Sequence, residues 1–177
     1  MILENIGLKS NFTFIDIGCG EGFFTIPAAR IVGKGGRVYG LDRDKEVISV
    51  LREKASKAGL TNMDLRVGEA EETVLCNNCA DIVFYGIVLH DFYNPMKALK
   101  NAKKMLKPLG WLVDLDWEKE QMALGPPLFR RISREKAVEL LKSEDFDVKS
   151  VKKLGLYYII EAKCWHLQII LHKKLKK

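Results

Sequence analysis

A β-favouring run, Phe12 to Ile17, passes directly into Gly18-Cys19-Gly20-Glu21-Gly22, and an apolar segment of helical character follows to about Val32. Three glycines at alternate positions describe a turn that few side chains could follow, because glycine alone enters the left-handed backbone region at no steric cost. The pattern predicts a strand, a glycine turn and a helix, the opening unit of a βα crossover. A chain that begins this way is committed early to an α/β sheet.

The remaining punctuation agrees. Arg37 to Leu41 is a second apolar run with Asp42 at its end, and Asp44 then caps a helix carrying Val47, Leu51, Ala55 and Ala58 on one face, stopped by Gly59. Met63 to Val67 and Ala80 to Tyr85 read as the third and fourth strands. Asn94 and Pro95 open a helix with Met96, Leu99, Ala102 and Leu106 on its face, and Pro108 and Gly110 are expected to end it. Trp111 to Asp116 is the fifth strand, Glu118 to Arg131 a surface loop without periodicity, and Ser133 caps a helix through about Leu141. Phe146 to Leu154 and Leu156 to about Cys164 are separated by Gly155 alone, too short for a parallel crossover, so they form an antiparallel hairpin. Five β-then-α alternations closed by a hairpin predict a mostly parallel sheet with helices on both faces. Its ligand belongs at the carboxyl ends of the strands, near the first.

At 177 residues the chain fits one domain over 1–177, with a short leading segment at 1–10 and a basic extension from about 165 to 177. Hydrophobic residues at 47% and charged residues at 29% exclude disordered and fibrous classes. No apolar run reaches spanning length and no secretory leader is legible, so no membrane partner and a cytoplasmic location are expected. The four cysteines are too few and too scattered for a disulfide framework, and reduced thiols are expected. Cys76-Asn77-Asn78-Cys79 lacks two further nearby ligands, so no metal site is expected. The net charge of +6 owes four units to Lys173, Lys174, Lys176 and Lys177, which leaves the lysine tail as the one expected route to RNA or an acidic partner. Oligomeric state, a homo-oligomer included, stays open.

The glycine turn by itself serves several nucleotide cofactors, and its charge discriminates among them. Dinucleotide sites want a small residue where this chain has Phe23. Asp16 and Glu21 flank the turn, and no Lys or Arg occurs between Ser10 and Ala29. Carboxylates beside a diphosphate repel it by about 1 kcal/mol in water at 4 Å and about 4 kcal/mol at an effective dielectric near 20. The same charges favour a ligand with an ammonium and a sulfonium, the pattern of S-adenosylmethionine (SAM). Asp42, twenty residues after Gly22, stands where an acid can accept from both ribose hydroxyls, and Glu69 where one can meet the adenine amine.

These blocks resemble the class I SAM-dependent methyltransferases. The likeness runs through Phe14-Ile15-Asp16-Ile17-Gly18-Cys19-Gly20-Glu21-Gly22-Phe23-Phe24-Thr25, Val38 to Asp42, Gly68 to Glu71, Asp81 to Pro95 and Leu106 to Leu112. The subgroup it is most similar to is the ubiquinone/menaquinone-biosynthesis-like, type 11 methyltransferases. The resemblance implies a Rossmann-like, doubly wound seven-stranded sheet of order 3-2-1-4-5-7-6. It also implies that Asp16, Gly18, Gly20 and Gly22, with Cys19 inside the turn, line the methionine end of SAM, Asp42 and Arg43 the ribose, Gly68, Glu69 and Ala70 the adenine, and Tyr85 and Gly86 the sulfonium side. Two departures concern the acceptor: only about ten residues precede the first strand, so the usual N-terminal cover is short or missing, and the Asn/Asp-Pro-Pro-aromatic signature of amine methylation is absent after the fourth strand.

Methyl transfer from a sulfonium is an in-line displacement with a good leaving group, so alignment of a small-molecule acceptor can supply most of the acceleration. If the acceptor is a hydroxyl or an acidic carbon, a base helps, and His90 with Asp91 is the candidate catalytic pair. Asp116 and Trp117 end the fifth strand and are candidates for the acceptor pocket. Two other functions compete: an NAD(P)-dependent Rossmann oxidoreductase, which suits Asp42, and a non-catalytic SAM-binding module that holds RNA or a protein by its tail.

Overall fold

The computed structural model of the chain describes residues 2–164. A short helix α1 (Ile2–Asn5) leads into β1 (Thr13–Ile17), α2 (Thr25–Val32), β2 (Arg37–Asp42), α3 (Lys45–Lys57), β3 (Met63–Val67) and β4 (Ala80–Gly86). A 3-10 turn, Leu89–Asp91, precedes α4 (Pro95–Met105), β5 (Leu106–Trp117), α5 (Arg134–Ser143), β6 (Phe146–Leu154) and β7 (Tyr157–Cys164). The seven strands form one sheet of order β3-β2-β1-β4-β5-β7-β6. Strands β1 to β5 pair in parallel, and β7 runs antiparallel to both β5 and β6. This is the expected doubly wound, Rossmann-like α/β arrangement, hairpin included.

The helix starts follow from their caps. Asp44 accepts from the Glu46 and Val47 N–H groups at 2.8 and 3.3 Å, Asn94 from Lys97 at 3.1 Å, and Ser133 from Lys136 at 3.2 Å. Each satisfies first-turn donors that the helix leaves unpaired.

Three local expectations are corrected. The crossover from β3 to β4, residues 68–79, contains no helix, so the β-then-α alternation fails once; Ala70 and Leu75 cover the sheet there in the same apolar cluster as α4 and α5. Strand β5 begins at Leu106, five residues early, and the register with β4 shifts between Ala80 and Ile82, so Pro108 and Gly110 sit in an irregular strand rather than at a helix end. Gly155 and Leu156 together make the hairpin turn, with Gly155 at φ 63°.

One sheet face is covered by α1 and α2, where Leu3, Ile6 and Leu8 join Phe14, Ile82 and Phe84; the other is covered by α4 and α5. The leading segment therefore packs on the sheet face. Ile6 and Gly7 line a cavity of about 580 Å³ with Asp81 and Trp111 at the amino ends of the strands. Cys76 and Cys79 are joined as a disulfide, against the expectation of reduced thiols, while Cys19 and Cys164 are free and buried. Among the described residues no helix is long and apolar enough to cross a membrane, and no group of three or more metal-ligating side chains gathers. The basic run 165–177, expected to reach RNA or a partner, lies outside the described residues.

Candidate functional site

In an open parallel sheet the strand order reverses between β1 and β4, and the loops leaving their carboxyl ends part to form a crevice. A cavity of about 670 Å³ occupies that place. Gly18 and Gly20 reach it from β1, Asp42, Arg43 and Asp44 from β2, Gly68 to Glu72 from β3, and Ile87, Val88 and Asp91 to Asn94 from beyond β4.

The glycine turn is held from behind. Gly18 N–H and Cys19 N–H both donate to the Leu41 carbonyl, at 2.8 and 3.1 Å, and Gly20 N–H donates to Asp42 Oδ2 at 2.9 Å. Asp42 Oδ1 accepts from Asp44 N–H at 3.0 Å, which fixes the carboxylate at the cavity wall with acceptor capacity remaining on each oxygen. Gly18 (φ 71°) and Gly20 (φ 50°) take the left-handed conformation; a Cβ on Gly18 would run into Val88, whereas one on Gly20 would meet nothing.

Eight of the sequence-expected residues therefore meet at one cavity: Gly18, Gly20, Asp42, Arg43, Gly68, Glu69, Ala70 and Asp91. The others stand elsewhere. Asp16 is buried behind the turn, where Thr25 Oγ1 donates to it at 2.6 Å. Burial pushes its pKa up to about 7, opposed by the Thr25 hydrogen bond and assisted by Asp42. The Cys19 side chain packs inward beside Gly40, and burial, with Asp16 and Asp42 adding, raises its thiol pKa. Gly22 makes room for Leu51 of α3, and Gly86 for Phe24 and Phe84. Tyr85, expected at the sulfonium side, is buried on the other face and donates its hydroxyl proton to the Ala98 carbonyl at 2.9 Å. His90 is withdrawn from the cavity wall: its ring Nδ1 lies 2.7 and 2.9 Å from the two Asp116 oxygens, and its Nε2 lies 3.6 Å from Asp91 Oδ1. Asp116 is thus its close partner. Trp117 packs against Tyr157 and under Arg131 instead of lining the cavity.

The negative charge of the site also comes from unexpected residues. Glu21 is exposed and paired with Lys54 of α3 at 2.6 Å, so it does not charge the cavity. Asp42, Asp44, Glu69, Glu71, Glu72 and Asp91 line it instead, against Arg43 and Lys97. Lys97 pairs with Glu72, and Arg130 with Asp91 at 3.0 Å, whereas the Glu69 carboxylate makes no ion pair among the described residues. A cavity so lined accepts a cation and opposes a diphosphate.

Sequence reasoning missed Ile87 and Val88 and the acids Glu71 and Glu72. Ile87 carried no local signal: a β-branched residue at φ 63° is uncommon, and here the bend delivers its N–H to the Leu115 carbonyl at 2.7 Å. Glu71 and Glu72 belong to the same acidic run as Glu69, which could have drawn attention to them.

Comparison with known proteins gives the same direction. A family model described as a methyltransferase domain matches residues 8–172. A solved structure of a SAM-dependent methyltransferase from Aquifex aeolicus is 30% identical, with a TM-score of 0.87 over 92% of this chain and 87% of that one. The demethylmenaquinone methyltransferases of Staphylococcus aureus and Bacillus velezensis are 29% and 28% identical over 74% and 68% of this chain. The chain spans about half the length of those curated relatives, 52% of each. The cyclase SpnF shares the fold, with a TM-score of 0.78 at 17% identity.

Proposed function

The chain belongs to the class I SAM-dependent methyltransferase family, and from that premise we propose that it binds SAM in the crevice between β1 and β4 and transfers its methyl group to a small-molecule acceptor. The observation that carries this reading is the acid-lined cavity, with Asp42 and Glu69 at the ends of adjacent strands. SAM supplies an electrophilic methyl on a sulfonium sulfur. In this reading Asp42, on the cavity wall, accepts from the ribose hydroxyls, Glu69 from the adenine amine, and the Gly18 to Gly20 backbone gives the ligand close approach. A cavity of about 670 Å³ suits a nucleoside-sized ligand, which leaves the acceptor to approach from the Asp91 to Asn94 side.

The names of the relatives make demethylmenaquinone, supplied in its reduced form so that its ring can give up a proton, the first acceptor to try, and a cytoplasmic location belongs to the same proposal. His90 and Asp91 are the groups for the acceptor's proton; Asp91 meets the cavity directly and His90 stands behind it. The competing oxidoreductase is disfavoured by the acid lining, and a binding-only module would bind SAM without turnover.

Calorimetry decides the cofactor. SAM binds with saturable heat and NADH gives none; heat with NADH and none with millimolar SAM overturns the proposal. Formation of methylated demethylmenaquinol, or of another methylated small molecule, separates transfer from binding alone.

A further inference from the structure

We propose, resting on the methyl-transfer reading above, that Asp116 is the positioning residue that sets His90 as proton acceptor, and that the substrate class is therefore an acceptor that gives up an O–H or acidic C–H proton.

Asp116 lies in β5 and is 1% exposed. Trp117 N–H donates to its Oδ1 at 2.7 Å, His90 N–H to its Oδ2 at 3.2 Å, and the His90 ring Nδ1 approaches both oxygens. Donors converging from two backbone groups and a ring fix the plane of this carboxylate. Because a carboxylate only accepts, Nδ1 must carry the proton, and Nε2 of the neutral ring keeps its lone pair. That bare nitrogen faces Asp91, which lines the cavity, and Val88, two residues before His90, is the side chain against Gly18. The dyad thus stands on the acceptor side of the glycine turn.

A second carboxyl stands beside this pair. Asp114 lies on the same strand face, with both oxygens buried and the Tyr158 hydroxyl as its neighbour. Burial, and then the nearness of Asp116, raise the Asp114 pKa well above its ordinary value, opposed by the Tyr158 hydroxyl. Of the two acids on that face, Asp116 is the one in contact with the histidine. The groups facing His90 are Asp116 from β5, Asp91 from its own turn and Arg130 from the loop after β5. Burial lowers its pKa, Asp116 and then Asp91 raise it, Arg130 lowers it, and the net direction is upward from 6.5.

The step balances. The acceptor oxygen or carbon supplies the electron pair of the new bond to the methyl carbon, the C–S pair stays on sulfur, and the acceptor's proton passes by way of Asp91, which lines the cavity, to His90 Nε2 behind it. The positive charge lost at the sulfonium reappears on an imidazolium held by Asp116. A thioether or tertiary amine acceptor loses no proton and would have no use for this dyad.

The test is a nitrogen-15 histidine titration of the full chain by NMR, with the His90 signals assigned by their loss in His90→Gln. The expected result is a neutral ring protonated at Nδ1 and a pKa above 6.5 that falls by about one unit or more, tenfold in proton affinity, in Asp116→Asn. Asp114→Asn, which changes an acid that is not among the groups facing His90, leaves the His90 pKa in place. SAM calorimetry runs alongside and gives the same affinity in wild type and both asparagine variants. A wild-type ring protonated at Nε2, or an unmoved pKa in Asp116→Asn, overturns the inference while SAM binding leaves the parent reading standing. Failure of the wild type to bind SAM overturns both. Should Asp116→Asn not fold, the wild-type tautomer alone decides.

Discussion

Asp16 shows how a residue within a binding motif can serve the scaffold more than the ligand. It is 1% exposed, bonded to Thr25, and its folded pKa of about 7 stands above an ordinary 3.8. The folded chain therefore holds a proton that the unfolded chain releases, from about pH 4 to pH 7, and stability falls across that window as pH rises. The full loss, about 4 kcal/mol, is reached above pH 7. Wild type should melt at a lower temperature at pH 8 than at pH 5, and Asp16→Asn, which keeps an acceptor for Thr25, should flatten that difference. Equal drops in the two proteins would show that the buried acid is not the cause. Asp42 is the contrasting case, an acid on the cavity wall. Asp42→Asn retains an acceptor for Gly20 N–H but loses charged hydrogen bonds of about 1.5 to 3 kcal/mol, so SAM affinity should fall about 10- to 100-fold by calorimetry.

At the scale of elements, the segment between β5 and α5 is more built than its composition implies. Arg131 is 4% exposed and donates to four carbonyls, of Pro126, Glu118, Glu120 and Leu124, at 2.8, 3.3, 2.9 and 2.6 Å, while its guanidinium lies over Trp117. Gly125 at φ 85° lets the backbone close on the Trp117 ring. Arg131→Ala removes the centre of this loop and meets the sheet only at Trp117, the last residue of β5, so chymotrypsin should cut at Leu124, Leu128 or Phe129 at least about tenfold faster while the melting temperature moves little. A large fall in melting temperature with unchanged cleavage would place Arg131 in the global core instead. The contrast shows what local sequence can carry. Caps at Asp44, Asn94 and Ser133, the stop at Gly59 and the turn at Gly155 act on neighbours a few residues away, and all were legible. The bonds of Arg131, the pairing of His90 with Asp116 across 26 residues and the helix-free crossover are decided by tertiary packing, which periodicity does not encode.

Charge organises the molecule as a whole. The chain carries a formal net charge of +6, yet among the described residues the cavity is lined by Asp42, Asp44, Glu69, Glu71, Glu72 and Asp91 against Arg43 and Lys97. The acids come from loops far apart in sequence, and the sheet order brings them together where the strands end. An anionic concavity sorts ligands by sign before any hydrogen bond forms, since walls of low dielectric focus the field into the cleft. SAM carries an ammonium, a carboxylate and a sulfonium, and its demethylated product lacks only the last. The two should therefore respond differently to screening. With a Debye length of about 10 Å at 0.1 M and 3 Å at 1 M, raising salt across that range should weaken SAM binding by about two- to fivefold. S-adenosylhomocysteine, with no net charge, should bind almost equally at both ends of the range. Parallel calorimetric titrations measure the difference directly. If both ligands weaken alike, the acids hold the ligand by hydrogen bonds alone, and the sign of the cavity has no part in choosing the donor over its product.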